Sequence, residues 1–151
     1  MKTLIKVVQD IGLLVARLTL GLVLVAHGWQ RFTHGIGPTV DTLTRHGLPE
    51  PQLFAWAATV LEVIGGALLI FGLLTPIVAA FVVAEQVMVI AWLRWQNGLW
   101  QAANGIEYPV ALAALALILV VFGAGRTGVD MLFRRGRKPA TTSPVYDSNP
   151  A

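Results

Sequence analysis

Four stretches of the chain are apolar for the length a bilayer demands, and polar segments rich in glycine and proline separate them. The runs extend from Ile11 to about Trp29, from Leu53 to Leu73, from Pro76 to Leu93 and from Ile106 to Phe122. About 20 apolar residues at a helical rise of 1.5 Å cross a hydrocarbon core of roughly 30 Å, so each run predicts a transmembrane helix. The opening resembles a signal peptide, but its apolar run exceeds the usual ~7–15 residues and shows no A-x-A site, which predicts a retained first span. Between the first two runs, Thr39–Arg45 predicts a short interfacial helix with Val40 and Leu43 turned inward, ended by Gly47, Pro49 and Pro51. The uncharged connection Gly72–Pro76 is short enough to make spans two and three antiparallel neighbours. The expected fold is all-α: an integral membrane four-helix bundle with a short interfacial segment between helices 1 and 2. It occupies residues 1–133, and residues 134–151 form a tail that is basic, then rich in Pro, Ser and Thr, and is expected to be disordered.

The polar residues inside these runs change the picture most. A carboxylate near the middle of a span costs roughly 2.5–3.5 kcal/mol on insertion scales and therefore faces protein. Glu62, followed by Gly65 and Gly66, is such a residue; Arg17 and Glu85 occupy spans one and three. From the helical rise, Arg17 lies roughly 9 Å from one membrane edge, Glu62 roughly 14 Å from the other and Glu85 roughly 14 Å from the first. These three can share a layer, in which an Arg17–Glu62 pair is expected. Nearer the loop side, His27, Arg31, Asn104 and Glu107 fall at one height as a second layer. Arg17, Gly21, Leu24, Gly28 and Arg31 follow helical steps along one face of span one; Glu62, Gly65, Gly66 and Leu69 do the same in span two. Small residues on such faces admit a neighbouring backbone.

Two readings of the layers stay open. The first is a buried ion pair that fixes helix register; the second is a ligand, quinone or proton site. The candidate ligand-binding residues are His27, Arg31, Asn104, Glu107, Arg17 and Glu62, and no catalytic residue is assigned. His27, His34 and His46 lack the i,i+4 pairing of a helical metal site, so no metal is expected.

Composition narrows the classes. The mean hydropathy is +0.69, with 56% hydrophobic and 13% charged residues among 151. The net charge of +3 does not point to nucleic acid, because the cations gather at the chain ends rather than among aromatics in a patch. With no cysteine, disulfides, thiolate catalysis and Cys-ligated metal are excluded within the chain. Lys2, Lys6, Arg126, Arg134, Arg135, Arg137 and Lys138 would lie on one side and Arg31, Arg45 and Arg94 on the other. That asymmetry predicts both termini in the cytoplasm of a multi-pass bacterial plasma-membrane protein. Trp92, Trp95 and Trp100 read as an interfacial aromatic belt.

The ordered set Arg17-x3-Gly21, His27-Gly28-x2-Arg31, Glu62-x2-Gly65-Gly66-x2-Leu69-x2-Gly72-Leu73-x-Thr75, Asn104-x2-Glu107 and Gly123-x-Gly125-x4-Asp130 resembles the DoxX family of small four-span bacterial membrane proteins. The resemblance covers roughly residues 11–130. Arg31 stands where the family commonly has Lys, which keeps the charge and changes the donor geometry; Glu85 lies outside the pattern. The family is named for a relative linked to a thiosulfate:quinone oxidoreductase, and other relatives are partners of redox or sulfur-handling enzymes in actinobacteria. The resemblance implies a membrane anchor or assembly partner for redox or oxidative-stress enzymes. Its alternatives are a quinone-linked oxidoreductase component and a small transporter working as a homo-oligomer. The implied partners are the lipid bilayer and a soluble redox enzyme or respiratory partner, with quinone the implied cofactor.

Overall fold

A computed structural model describes residues 2–123 and Gly125. The expected tail at 134–151, its boundary at 133, the motif position Asp130 and the cation Arg126 of the orientation count lie outside the described residues. Helix α1 runs Lys2–His34, 33 residues and about 50 Å long. It starts well before Ile11 because no glycine or proline interrupts the basic flank; only its middle is apolar enough for lipid. Gly35, at φ +83°, ends it. Helix α2, Gly37–Arg45, follows with Pro38 in its first turn.

Helix α3 covers Pro51–Phe71 and contains a π-helical segment at Leu61–Gly65. Gly72 adopts φ +70°, and the Leu73 N–H donates to the Leu68 carbonyl at 2.9 Å, closing the helix in a tight cap. Helix α4, Thr75–Asn97, passes through a second π-helical segment at Val89–Arg94. A folded loop leads to α5, Glu107–Phe122. Every regular element among the described residues is helical. Helices α1, α3 and α4 are long and apolar enough to cross a membrane; α5 is equally apolar but has 16 residues.

The distribution of side chains is that of a protein dissolved in lipid. Leu22, Ile64, Phe71, Ile77, Phe81 and Val121 are exposed on the outside, while Arg17, Thr59, Glu62, Thr75, Glu85 and Gln86 are buried. Hydrocarbon solvates the apolar exterior at no cost, whereas a charge must turn inward. The main core joins Leu13, Leu20 and Leu24 of α1 to Leu69, Val82, Ala116 and Leu119 from the other long helices. A smaller cluster seats α2: Leu43 packs with Leu48 and Ala55, and partly buried Val40 and Met88 lean on it. The expected short helix is thus present, with its inward residues as read from the sequence. Trp29, Trp92, Trp95 and Trp100 are all exposed.

Helices α1 and α3 approach each other closely. A Cβ added to Gly21 would lie 2.8 Å from the Gly66 carbonyl oxygen, and one added to Gly28 would lie 2.9 Å from both Glu62 Cβ and the Val63 nitrogen. Without a hydrophobic drive between helices in lipid, such close packing supplies much of the association. It also fixes the register. Gly28 sits against Glu62 and Val63, while Gly21 sits against Gly66 and Ile70.

Gly21→Ala should therefore separate α1 from α3 and destabilise by about 1–3 kcal/mol as overpacking, outweighing the ~1 kcal/mol that alanine gains in helix propensity. Gly12, with nothing within 4 Å of its added Cβ, provides the contrast. Gly12→Ala should leave thermal unfolding in detergent unchanged or raise its midpoint, and Gly21→Ala should lower it.

Candidate functional site

The register brings Glu62 opposite the end of α1, and its carboxylate accepts from the Arg31 guanidinium, Nη2 to Oε1 at 3.0 Å. The expected Arg17–Glu62 pair is thereby corrected: among the described residues, the ion pair of Glu62 is with Arg31. The reason is geometric. Arg17 precedes Gly28 by about three helical turns, roughly 16 Å along the axis, so it falls toward the α3–α4 turn. It is buried there at 3% exposure.

Around the Arg31–Glu62 pair lies a cavity of about 90 Å³ between α1, α3, α4 and α5. Helix α1 contributes Val23, Leu24, His27 and Arg31, and α3 contributes Glu62. Helix α4 contributes Glu85, Gln86, Val89 and Arg94, and α5 contributes Tyr108, Pro109 and Leu112. Three of its polar atoms are buried without a hydrogen-bond partner: Arg31 Nη1, Glu62 Oε2 and Glu85 Oε2. A buried unsatisfied polar atom costs about 1–3 kcal/mol, so these three call for a partner within the cavity, water or a ligand.

The rim is organised by hydrogen bonds. His27 Nδ1 lies 2.8 Å from the Val23 carbonyl. A carbonyl only accepts, so Nδ1 carries the hydrogen and, in the neutral ring, Nε2 is left as the acceptor. Tyr108 Oη lies 3.4 Å from that Nε2 and donates to it, with the ring centroids 5.7 Å apart. Arg94 Nη1 donates to the Gly105 carbonyl at 3.3 Å and to Gln101 Oε1 at 3.5 Å, which ties α4 to the loop before α5.

Of the six residues expected at a site, His27, Arg31 and Glu62 meet at this cavity. Arg17 does not. Asn104 and Glu107 are not among its lining residues and instead shape the loop above it. Asn104 takes φ +61°, and its carbonyl accepts from Asn97 Nδ2 at 3.2 Å. Glu107 Oε2 accepts the Gln101 N–H at 3.0 Å. Adjacent helical positions point about 100° apart, so Tyr108 enters the cavity where its neighbour Glu107 does not. The buried steps Pro109, Leu112, Ala116 and Leu119 carry the signal that would have placed the inward face of α5 beside Tyr108. Glu85 joins Glu62 in one layer, as expected from depth, and brings Gln86 with it.

The DoxX family model matches residues 12–95, more than half of the chain. The chain belongs to the DoxX family. The matched span includes every cavity residue named above except those of α5. Among curated proteins, the chain is 28% identical over 137 residues to the uncharacterized membrane protein Rv3486 of Mycobacterium tuberculosis, covering 83% of this chain and 81% of the relative. It is 26% identical over 134 residues to CatD of Bacillus subtilis, provisionally named an oxidoreductase, covering 89% and 96%. It is 27% identical over 132 residues to the inner membrane protein YqjF of Escherichia coli, covering 86% and 98%. No solved structure matches. The protein is thus a DoxX-type membrane protein in contact with the lipid bilayer.

Removing one partner of a buried ion pair costs about 3–5 kcal/mol; Arg31 keeps 28% side-chain exposure, which places Glu62→Ala near the lower end. A double-mutant cycle should give a coupling of at least about 0.5 kcal/mol between Glu62→Ala and Arg31→Ala, and near-additive effects for Glu62→Ala with Arg17→Ala. Chemical denaturation in detergent micelles measures both.

Proposed function

We propose that the protein is a plasma-membrane component that works with a redox enzyme and holds a small polar ligand in the cavity around Arg31 and Glu62. The observation that carries this reading is the set of three buried unpartnered polar atoms, Arg31 Nη1, Glu62 Oε2 and Glu85 Oε2, lining one cavity. An anchor alone has no use for such a site, and helix register would be fixed by the ion pair without it. The provisional oxidoreductase name of CatD supports the redox connection.

Volume limits the ligand. A cavity of about 150 Å³ takes a benzene ring, and this one has about 90 Å³. Were a quinone bound, Arg31 Nη1 would be available to donate to one of its carbonyls, His27 and Tyr108 at the rim would help hold it, and it would supply the redox chemistry. In this reading α5 completes a four-span bundle with both termini cytoplasmic. Gly125 supports that arrangement, since a Cβ there would lie 3.3 Å from Leu13 Cδ1, which returns the end of α5 to the N-terminal part of α1.

Purification in mild detergent, followed by mass spectrometry of extracted small molecules and of co-purifying proteins, tests the function. Wild-type protein should retain a small molecule that Glu62→Gln loses while its melting midpoint stays within a few degrees. Absence of any retained molecule and of any redox enzyme would overturn the proposal. A stoichiometric enzyme retained equally by Glu62→Gln would leave only the anchoring role. Single cysteines at Thr141 and His34, labelled from outside intact cells, test the topology: His34→Cys should label and Thr141→Cys should not.

A further inference from the structure

Glu85 is the second buried acid on the cavity wall, beside the ion-paired Glu62. It is 8% exposed, faces the cavity, and its Oε2 has no hydrogen-bond partner. The charged and titratable groups facing it can be taken helix by helix. From α1 come His27 and Arg31, from α3 Glu62, from its own helix Arg94, and from α5 Tyr108. Arg31 is bonded to Glu62, and Arg94 donates to the loop at Gly105 and Gln101. Neither guanidinium is hydrogen-bonded to Glu85.

The two orphaned carboxylate oxygens, Glu62 Oε2 and Glu85 Oε2, are both acceptors when ionised, and two acceptors cannot satisfy each other. One proton changes this count. A single O–H on Glu85 would be a donor, and Glu62 Oε2, on the wall of the same cavity, is available as its acceptor, directly or across water for which the cavity has room. We propose that the Glu62–Glu85 pair takes up one proton from the α2 side of the membrane and holds it between the two carboxylates, with Tyr108 and His27 as the exchange route. On release, the Glu85 O–H bond breaks and a proton passes across the shared cavity, through water for which it has room, to the Tyr108 oxygen. Tyr108 gives its own hydrogen to His27 Nε2, and the resulting imidazolium, still bonded through Nδ1 to the Val23 carbonyl, loses one proton to solvent. His27 is exposed and suited to that last step. Charge balances: one proton leaves, and the pair gains one negative charge. No organic ligand is needed, so this inference stands apart from the redox reading.

Infrared pH-difference spectra of the full chain reconstituted in lipid vesicles, recorded in H₂O and D₂O, test it. Subtracting Glu85→Gln from wild type isolates the carbonyl stretch of one protonated carboxyl from those of surface acids. That band should appear as pH falls and shift in frequency in Glu62→Gln. In Tyr108→Phe it should persist but exchange with deuterium more slowly. Absence of the band over the whole pH range in which wild type stays folded would overturn the proposal. So would its loss on adding Na⁺ or K⁺ at fixed pH, which would make an alkali cation the occupant. The wild-type and Glu85→Gln spectra decide the matter even if Glu62→Gln fails to fold. Unaltered deuterium exchange in Tyr108→Phe would remove Tyr108 and His27 from the route and overturn the proposal in that part.

Discussion

The close approach of α1 and α3 along Gly21, Gly28 and Gly66 is the constraint on which the rest depends. In lipid, apolar side chains gain little by leaving the solvent, so a helix pair is held by packing and polar contact rather than by burial. Here both are set by one register. With Gly28 against Val63, a guanidinium one turn further along α1 reaches Glu62 at 3.0 Å. Any larger residue at the contact would lever the helices apart and leave a carboxylate buried away from its cation. The glycines are therefore part of the electrostatics, though they carry no charge.

That register also explains where sequence reasoning succeeds and where it stops. Periodicity identifies the inward faces well: Arg17, Gly21, Leu24 and Gly28 are buried on α1, and Glu62, Gly65, Gly66 and Leu69 on α3. Faces follow from the 3.6-residue repeat, which is a local property. Partners across a helix pair depend on axial offset, a tertiary property with no local signature. A depth estimate anchored on the apolar boundary of span one placed Arg17 nearer to Glu62 than it is. The true helix continues to Lys2 at one end and His34 at the other, and the boundary of hydrophobicity is not a boundary of structure.

The π segments are the other feature that simple periodicity does not reach. Glu62 lies within the one in α3, and the one in α4 begins three residues after Gln86. Arg94 follows Glu85 by nine residues, which at 3.6 residues per turn is about two and a half turns and would point it to the opposite side. Unwinding through Val89–Arg94 swings it back toward the cavity, where it lines the wall and holds the loop. Segments of this kind frequently sit at functional sites because they re-aim side chains at the cost of some hydrogen-bond geometry. Two of them bordering one cavity link backbone irregularity to polar chemistry.

The balance of charge then restricts what the cavity can do. Glu62 and Glu85 meet two guanidiniums there, but only Arg31 is hydrogen-bonded to a carboxylate, and Arg94 is committed to the loop. A bundle selected only to cross a membrane would be more stable with apolar residues of similar volume in these places, because desolvating an ion pair commonly costs more than its attraction returns. Retaining the pair, a second carboxylate and a His–Tyr contact at the rim places several costly groups within one small volume. Each is individually unfavourable in lipid, and together they form the polar interior in which the proposed ligand and the proposed proton would be held. The α1–α3 contact supplies the rigidity that keeps them there, and the exposed rim at His27 supplies the access.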